Sequence, residues 1–582
     1  MDNLRNELKN AFDEGNFLQV VYEKSLGESG NRSALKEALV SMHNDGVIDA
    51  IACFSLLANK PDTGYDFFLT HHVFEKALPH LNAPVKKVMN CVLHLVREAG
   101  QDMVAGSIFE PFIDFCANEP SRPKESLRQI AEAIDQFADL LAPTVIAGAR
   151  IDVRFYLKEA IRFTAHENAE VRKRAIFSLG RIQYPQDIKL CDLALTCLEL
   201  SVTKETDDHI LGNMIKSAFS LYKYDQSKES RIIDLINNAL SQGGDYALHI
   251  ASTLFGFNFN VLPEALLDSL INHLLRVSPQ NKGTLDNIDY GLVKLMNRND
   301  PTKGIEFLEA MLTTNSGDVS MNIFDSVLGG IYKNEKVLNK LLTRWFLRGD
   351  RILCEGIWAV VNKAHEKSLL LEIDPSELVS IDQMHFVFLA RKTIGHLFFK
   401  PVTAASIIIS LMHKTNEDET LQQLGMLLFD PLLINFPGTV KDYLIQKVES
   451  ESGKSKTTIE TALKALDEYL DDLKSTGLIP ELHPHQTQRD AYRRHSARLI
   501  SESFKEAEKK SVLLPLVSKS VLLYGRKSVN YVYDSDGKSN RMEIPLHSHG
   551  IKVEIPQLEN IDRFGLDYMI RVFRAEQIMM VS

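Results

Sequence analysis

The residues with the clearest capacity for chemistry in this chain are cationic. Between positions 486 and 530 there are ten Lys or Arg residues, opposed only by Asp490, Glu502, Glu506 and Glu508. The core of the cluster is Arg489, Arg493, Arg494, Arg498, Lys505 and Lys509. Arg489 and Arg493 are four apart, as are Lys505 and Lys509, so on a helix each pair shares a face. Such rows neutralise backbone phosphates of DNA or RNA, in contacts that weaken as salt rises. The same charges suit an acidic protein surface, including the acidic remainder of this chain. A solvated linker helix explains them with no partner at all. All three readings stay open at this level.

Other chemistry-bearing patterns have simpler explanations. His483-Pro484-His485 and His547-Ser548-His549 are His-x-His pairs, and on a strand two such rings can grip one metal ion. No acid or cysteine stands at ligand spacing, so surface histidines are the plainer reading and no metal or other cofactor is expected. Gly453-Lys454-Ser455 ends like a phosphate loop, but Val448 occupies the place of its first glycine, so an inter-helix loop is expected. Gly27-Glu28-Ser29-Gly30 lacks the spacing of a nucleophile elbow. Asp534 lies too close to Asp536-Gly537-Lys538 for a two-strand nuclease site, and a hairpin turn explains Asp-Gly. The six cysteines form no CxxC pair, which points to buried free thiols in a reducing compartment. No catalytic residue is nominated and no enzyme is expected, although the C-terminal segment leaves that question open.

The elements around these residues are helical. Asn82-Ala83-Pro84-Val85-Lys86-Lys87 matches Asn168-Ala169-Glu170-Val171-Arg172-Lys173, 86 residues later, with a weaker copy at Ser126-Leu127-Arg128-Gln129. Each copy is expected to open an amphipathic helix, giving two periods of about 43 residues. Up to about residue 474, apolar residues recur at helical spacing, as in Val171–Ile182, Leu262–Val277 and Thr457–Leu473. Gly243-Gly244, Asp300-Pro301 and Asp374-Pro375 punctuate the series.

The segment His166–Ile182, HENAEVRKRAIFSLGRI, resembles the second helix of a HEAT repeat. Val171, Arg172, Ala175, Leu179, Gly180 and Ile182 carry the match, and residues 82–96 repeat it in part. The resemblance implies an α–α superhelix whose helix pairs bury apolar stripes against their neighbours, and a binding surface rather than a catalyst.

After about residue 474 the composition changes. Val529, Tyr531 and Tyr533 alternate, then Met542, Ile544 and Leu546, then Ile551, Val553 and Ile555, which predicts three strands. A last helix is expected near Ile561–Arg574. The expected fold is therefore mainly α, a HEAT-like solenoid with a small C-terminal α+β module. Its expected divisions are 1–250 (helical repeats), 251–476 (irregular repeats), 477–512 (linker and basic helix) and 513–582 (the α+β module).

A net charge of -11 argues against coating nucleic acid along the whole length. The N-terminus has no apolar signal region and no window is apolar enough to span a bilayer, so a cytoplasmic protein without membrane contact is expected. The expected function is a non-catalytic scaffold or adaptor that binds a protein partner in a multi-protein complex. No small-molecule substrate is evident. The alternative is a nucleic-acid-binding accessory protein that uses helix 487–510, in bacterial defence or DNA metabolism.

Overall fold

The computed structural model describes the chain except residues 1, 27–28, 62, 101, 103–105, 185–187, 315–317, 364–367, 379–381, 478–484, 511–518, 524–526, 534–538, 546–553 and 579–582. The described residues are mainly α-helical, with three short strands. Contacts divide the chain into two units, Met1–Val319 and Ser320–Ser582.

Helices start where a short polar side chain can satisfy free backbone N–H groups. Asp66, Asp152, Asn168, Asp207 and Asp350 all cap the helix that follows them. Helix Glu335–Arg348 stops at Gly349, which adopts the left-handed conformation that glycine tolerates best.

In the first unit, helices pack on their next-but-one neighbours. Leu141–Ala149 meets Ala169–Leu179, followed in turn by Asp208–Tyr224, Asp245–Phe257 and Lys282–Met296. We call these five the front row. Val153–Phe163, Ile188–Val202, Glu229–Gln242 and Glu264–Leu274 form a back row in the same way. The apolar stripe read from the sequence supplies part of the core: Val171, Ala175, Leu179 and Ile182 are fully buried. Each buried Val, Leu or Ile side chain contributes roughly 1.5–3 kcal/mol relative to exposure. Gly180 is required by packing, because a Cβ there would stand 2.5 Å from Ser217 Cα in the next front-row helix.

The repeat length differs from the 43-residue expectation. Helices Val85–Ala99 and Ala169–Leu179, which follow the two hexapeptides, are separated by Ser121–Glu132 and Leu141–Ala149, each packed on the next. The interval therefore covers three steps, not two. The weak third copy lies inside helix Ser121–Glu132, where Ser126 shares a buried 2.7 Å hydrogen bond with Thr144. Beyond helix Leu141–Ala149, most side-chain bonds between successive repeats join residues 32 to 41 apart, as in Arg231–Glu199 and Ser217–Ile176.

The second unit repeats the scheme. Helices Glu335–Arg348, Gln383–Leu397, Asp418–Leu427 and Gly453–Thr476 pack each on the next. Ile373 N–H donates to Ser410 Oγ across 37 residues, and Thr415 Oγ1 to Gln383 Oε1 across 32. Gly453 opens a 24-residue helix instead of lying in a loop, and Lys454 is tied to Asp418 (2.7 Å) and to the Asn416 carbonyl (2.9 Å).

Strands β1 (Lys519–Leu523), β2 (Lys527–Tyr533) and β3 (Ser539–Pro545) form an antiparallel sheet in that order, with Tyr533 opposite Ser539. The expected hairpin turn at Asp536-Gly537 lies outside the described residues. So do Ile551 and Val553 of the expected third strand, and the sheet takes its third member from 519–523. The expected α+β module is not supported as a single body. Helix Arg563–Ala575 packs on Gln383–Leu397 in the helical stack, burying Leu566 and Ile570 while Phe564 and Tyr568 face solvent.

This return is densely bonded. The Glu554 carboxylate accepts from the N–H groups of Gly438 (2.7 Å) and Thr439 (2.8 Å), the orphan donors at the start of helix Thr439–Ser450. Leu558 N–H donates to Asn435 Oδ1, Arg391 pairs with Glu576 (3.0 Å), and Gln577 Nε2 donates to the Gly349 carbonyl. Lys392 is fully buried, and its ammonium donates to the Arg574 carbonyl at 2.6 Å. Gly395 allows the close approach, since a Cβ there would lie 3.0 Å from Arg574 N.

Candidate interaction surfaces

The basic cluster lies on one continuous helix, Gln486–Lys510. Its described side chains are exposed, apart from the half-buried Asp490 and Ser496. At about 100° per residue, Arg494, Arg498, Lys505 and Lys509 fall within an arc of about 60°. Arg489 and Arg493 do not join them. They lie on the far side, in an arc of about 140° that also holds Tyr492, Leu499, Ile500 and Phe504. Those four apolar residues are 50% to 67% exposed, which for a helix this long leaves an apolar stripe that no described residue covers. Arg498 is held by Glu502 at 2.8 Å, a surface i,i+4 pair worth only about 0.3–0.5 kcal/mol.

The sequence pointed to this cluster because its residues are consecutive. A second basic feature escaped it because the residues are scattered. In the first unit, a cleft of about 410 Å³ is lined by Arg150, Arg181, Lys223, Gln183, Tyr224 and Glu110, among others. It lies where the front-row helices end at Ala149, Leu179 and Tyr224. Arg150 pairs with Asp114 (2.6 Å), and Arg181 reaches Glu110 at 3.4 Å. Lys216 lies 5.6 Å from the Phe177 ring centre, with the Arg181 guanidinium 6.0 Å from the same ring. Desolvation and the Arg181 charge hold the Lys216 ammonium below its usual range. Cations at helix C-termini also complement the helix dipole, so this arrangement stabilises the fold whatever it binds.

The remaining sequence candidates contribute little. His483, His547 and His549 lie outside the described residues, and His485 Nδ1 is within 2.8 Å of the Thr487 hydroxyl. Among the described residues, no group of three or more His, Cys, Asp or Glu is placed to hold a metal ion. All six cysteines are free, five of them buried. Burial pushes the Cys91 and Cys354 thiols up to about 12, so neither is a ready nucleophile. Among the described residues no helix is long and apolar enough to cross a membrane.

No protein-family model and no curated protein matches the chain. Solved structures give distant likenesses. An engineered protein from a structural-genomics programme is 13% identical, over 80% of this chain and 99% of its own, with a TM-score of 0.20. A structure of Kap95p with RanGDP is 10% identical over 80% and 76% of the two chains, with a TM-score of 0.25. A SYS-1/POP-1 complex is 11% identical over 79% and 86%, with a TM-score of 0.20. Likenesses this slight carry no argument about partner or activity.

Proposed function

We propose that this chain is a non-catalytic scaffold that binds a protein partner within a larger assembly. Helix pairs up to about residue 476 form the frame, and the segment beyond it carries an attachment point. One observation carries the reading. Helix Gln486–Lys510 shows an apolar stripe of Tyr492, Leu499, Ile500 and Phe504 to solvent, with a basic stripe on its other side. Covering such a stripe is favourable by roughly 25 cal/mol per Å² of apolar area, and a partner that also offers acids would satisfy both faces.

The test is affinity purification of the full chain under native conditions, with identification of the co-purifying proteins. The double variant Leu499→Asp, Ile500→Asp should lose a specific partner that the unmodified chain retains. An unchanged set of co-purifying proteins would refute the role given to this helix.

The second reading is nucleic-acid binding through Arg494, Arg498, Lys505 and Lys509, favoured by their common arc. It predicts an affinity for duplex DNA or RNA that falls steeply between 50 and 200 mM salt. No binding at 50 mM salt would remove it.

A further inference from the structure

The front-row helices run parallel, so their C-terminal ends share one edge of the first unit. Ser217 bonds to the Ile176 carbonyl, Gly212 faces Tyr246 and Ile250, and Asn287 Nδ2 donates to Ser252 Oγ. The offset that sets Gly212 against Tyr246 and Ile250 also brings Lys223 and Tyr224 level with Phe257 and Val261. The cleft described above is one end of this edge. Beyond it stand Phe257, 61% exposed, and Tyr290, 46% exposed, with ring centres 5.4 Å apart. Lys294 lies over Tyr290 at 4.4 Å, its ammonium donating to the Gly256 carbonyl. Among the described residues neither Lys216 nor Lys223 meets a carboxylate, although the chain as a whole is acidic.

We propose that this edge is a docking strip for an extended acidic segment of a protein partner. The proposal deepens the scaffold reading and uses a different surface from helix Gln486–Lys510. Packed helices stand 8–10 Å apart, so five of them span roughly 40 Å. An extended chain covers that in about twelve residues at ~3.3 Å each. One repeat step is then about three residues. Acids spaced by three would meet Arg150, Arg181 and Lys223 in turn, sharing the two guanidinium groups with Asp114 and Glu110 and taking Lys223 alone, and an apolar or aromatic side chain would follow at Phe257 and Tyr290. A nucleic acid suits the strip less well. Glu110 and Asp114 already occupy Arg181 and Arg150, and they would repel a closely spaced phosphate chain. A peptide with separated acids can place neutral residues opposite them.

The probe is a fluorescein-labelled dodecapeptide with Glu at positions 1, 4 and 7 and Phe at position 10, the rest Gly and Ser. Its control carries Gln in place of each Glu. Anisotropy titration of the full chain should show the Glu peptide binding at least tenfold more tightly than the Gln peptide. Lys223→Glu and Phe257→Ala should each weaken the Glu peptide about tenfold or more. Lys223→Gln, a milder surface change, should weaken it by a smaller factor with an unchanged circular dichroism spectrum. The Leu499→Asp, Ile500→Asp variant should bind the peptide as before, so failure of the helix reading stays separate from failure of the strip. Equal binding of Glu and Gln peptides would overturn the proposal. So would insensitivity to Lys223→Glu, or tighter binding of a twelve-nucleotide oligothymidine at the same residues.

Discussion

Acid should loosen the second unit through a single imidazole. His396 lies on helix Gln383–Leu397, under the returning helix, and is only 7% exposed. Its ring stacks on Phe346 at 5.8 Å, and Nε2 has no hydrogen-bond partner among the described residues. Burial lowers its pKa to about 3, helped by the charges of Arg574 and Lys392. The folded ring therefore refuses a proton that the unfolded chain accepts below about 6.5. Stability from this group is complete above that value and is lost as pH falls towards 3. The slope approaches 1.4 kcal/mol per pH unit, which gives a loss of about 2 kcal/mol between pH 7 and pH 5. The variant His396→Leu removes the titration and keeps an apolar filling. Trp345 and Trp358 are the only tryptophans and both lie in the second unit, so urea unfolding followed by tryptophan fluorescence reads this unit alone. Between pH 7 and pH 5 the unmodified chain should lose about 2 kcal/mol more than His396→Leu. Equal losses in the two proteins, or a larger loss in His396→Leu, would refute the reasoning, because other titrating groups are common to both.

Three further outcomes follow from the packing. Asp208 accepts N–H bonds from Gly244 (2.7 Å), Tyr246 (2.7 Å) and Ala247 (3.1 Å), so Asp208→Ala should cost about 1–3 kcal/mol and raise amide exchange at the start of helix Asp245–Phe257. Gly256→Ala would push a Cβ to 2.7 Å from the Asn287 carbonyl oxygen and should cost about 1–3 kcal/mol, whereas Gly329→Ala, with nothing within 4 Å, should gain about 0.5–1 kcal/mol; thermal melts of the pair decide. Glu554→Ala should strip the cap from helix Thr439–Ser450 and speed limited proteolysis near residue 554, with little change in the first unit.

Local features were the legible ones. The helical stripe through Val171, Ala175 and Leu179 is visible because helix period and burial coincide. Gly180 was marked by resemblance, and the structure supplies its cause in the backbone of Ser217. The repeat length was misjudged because matching hexapeptides report similar helix openings, not how many helices lie between them. The last helix was legible as a helix but not its buried face: it turns Leu566 and Ile570 inward and leaves Phe564 and Tyr568 in solvent, a choice made by its docking on distant helix Gln383–Leu397. A buried Lys392 is likewise unreadable from a charged letter, since its shelter comes from Arg574, 182 residues away. Of the two basic surfaces, helix Gln486–Lys510 was legible and the front-row edge was not. Its members, from Arg150 to Lys294, meet only when successive helices line up their ends.

The bonds that close the second unit differ from the rest in reach. Successive repeats join partners some 32 to 41 residues apart, while the returning segment ties Arg391, Lys392 and Gly395 to residues 179 to 185 positions further on. During synthesis the repeats can stack as they emerge from the ribosome, but the face of helix Gln383–Leu397 waits uncovered until residues 563–577 have been translated. Loops of that span close late, so this face stays open to wrong pairings and aggregation for longer than the faces shared by neighbouring repeats.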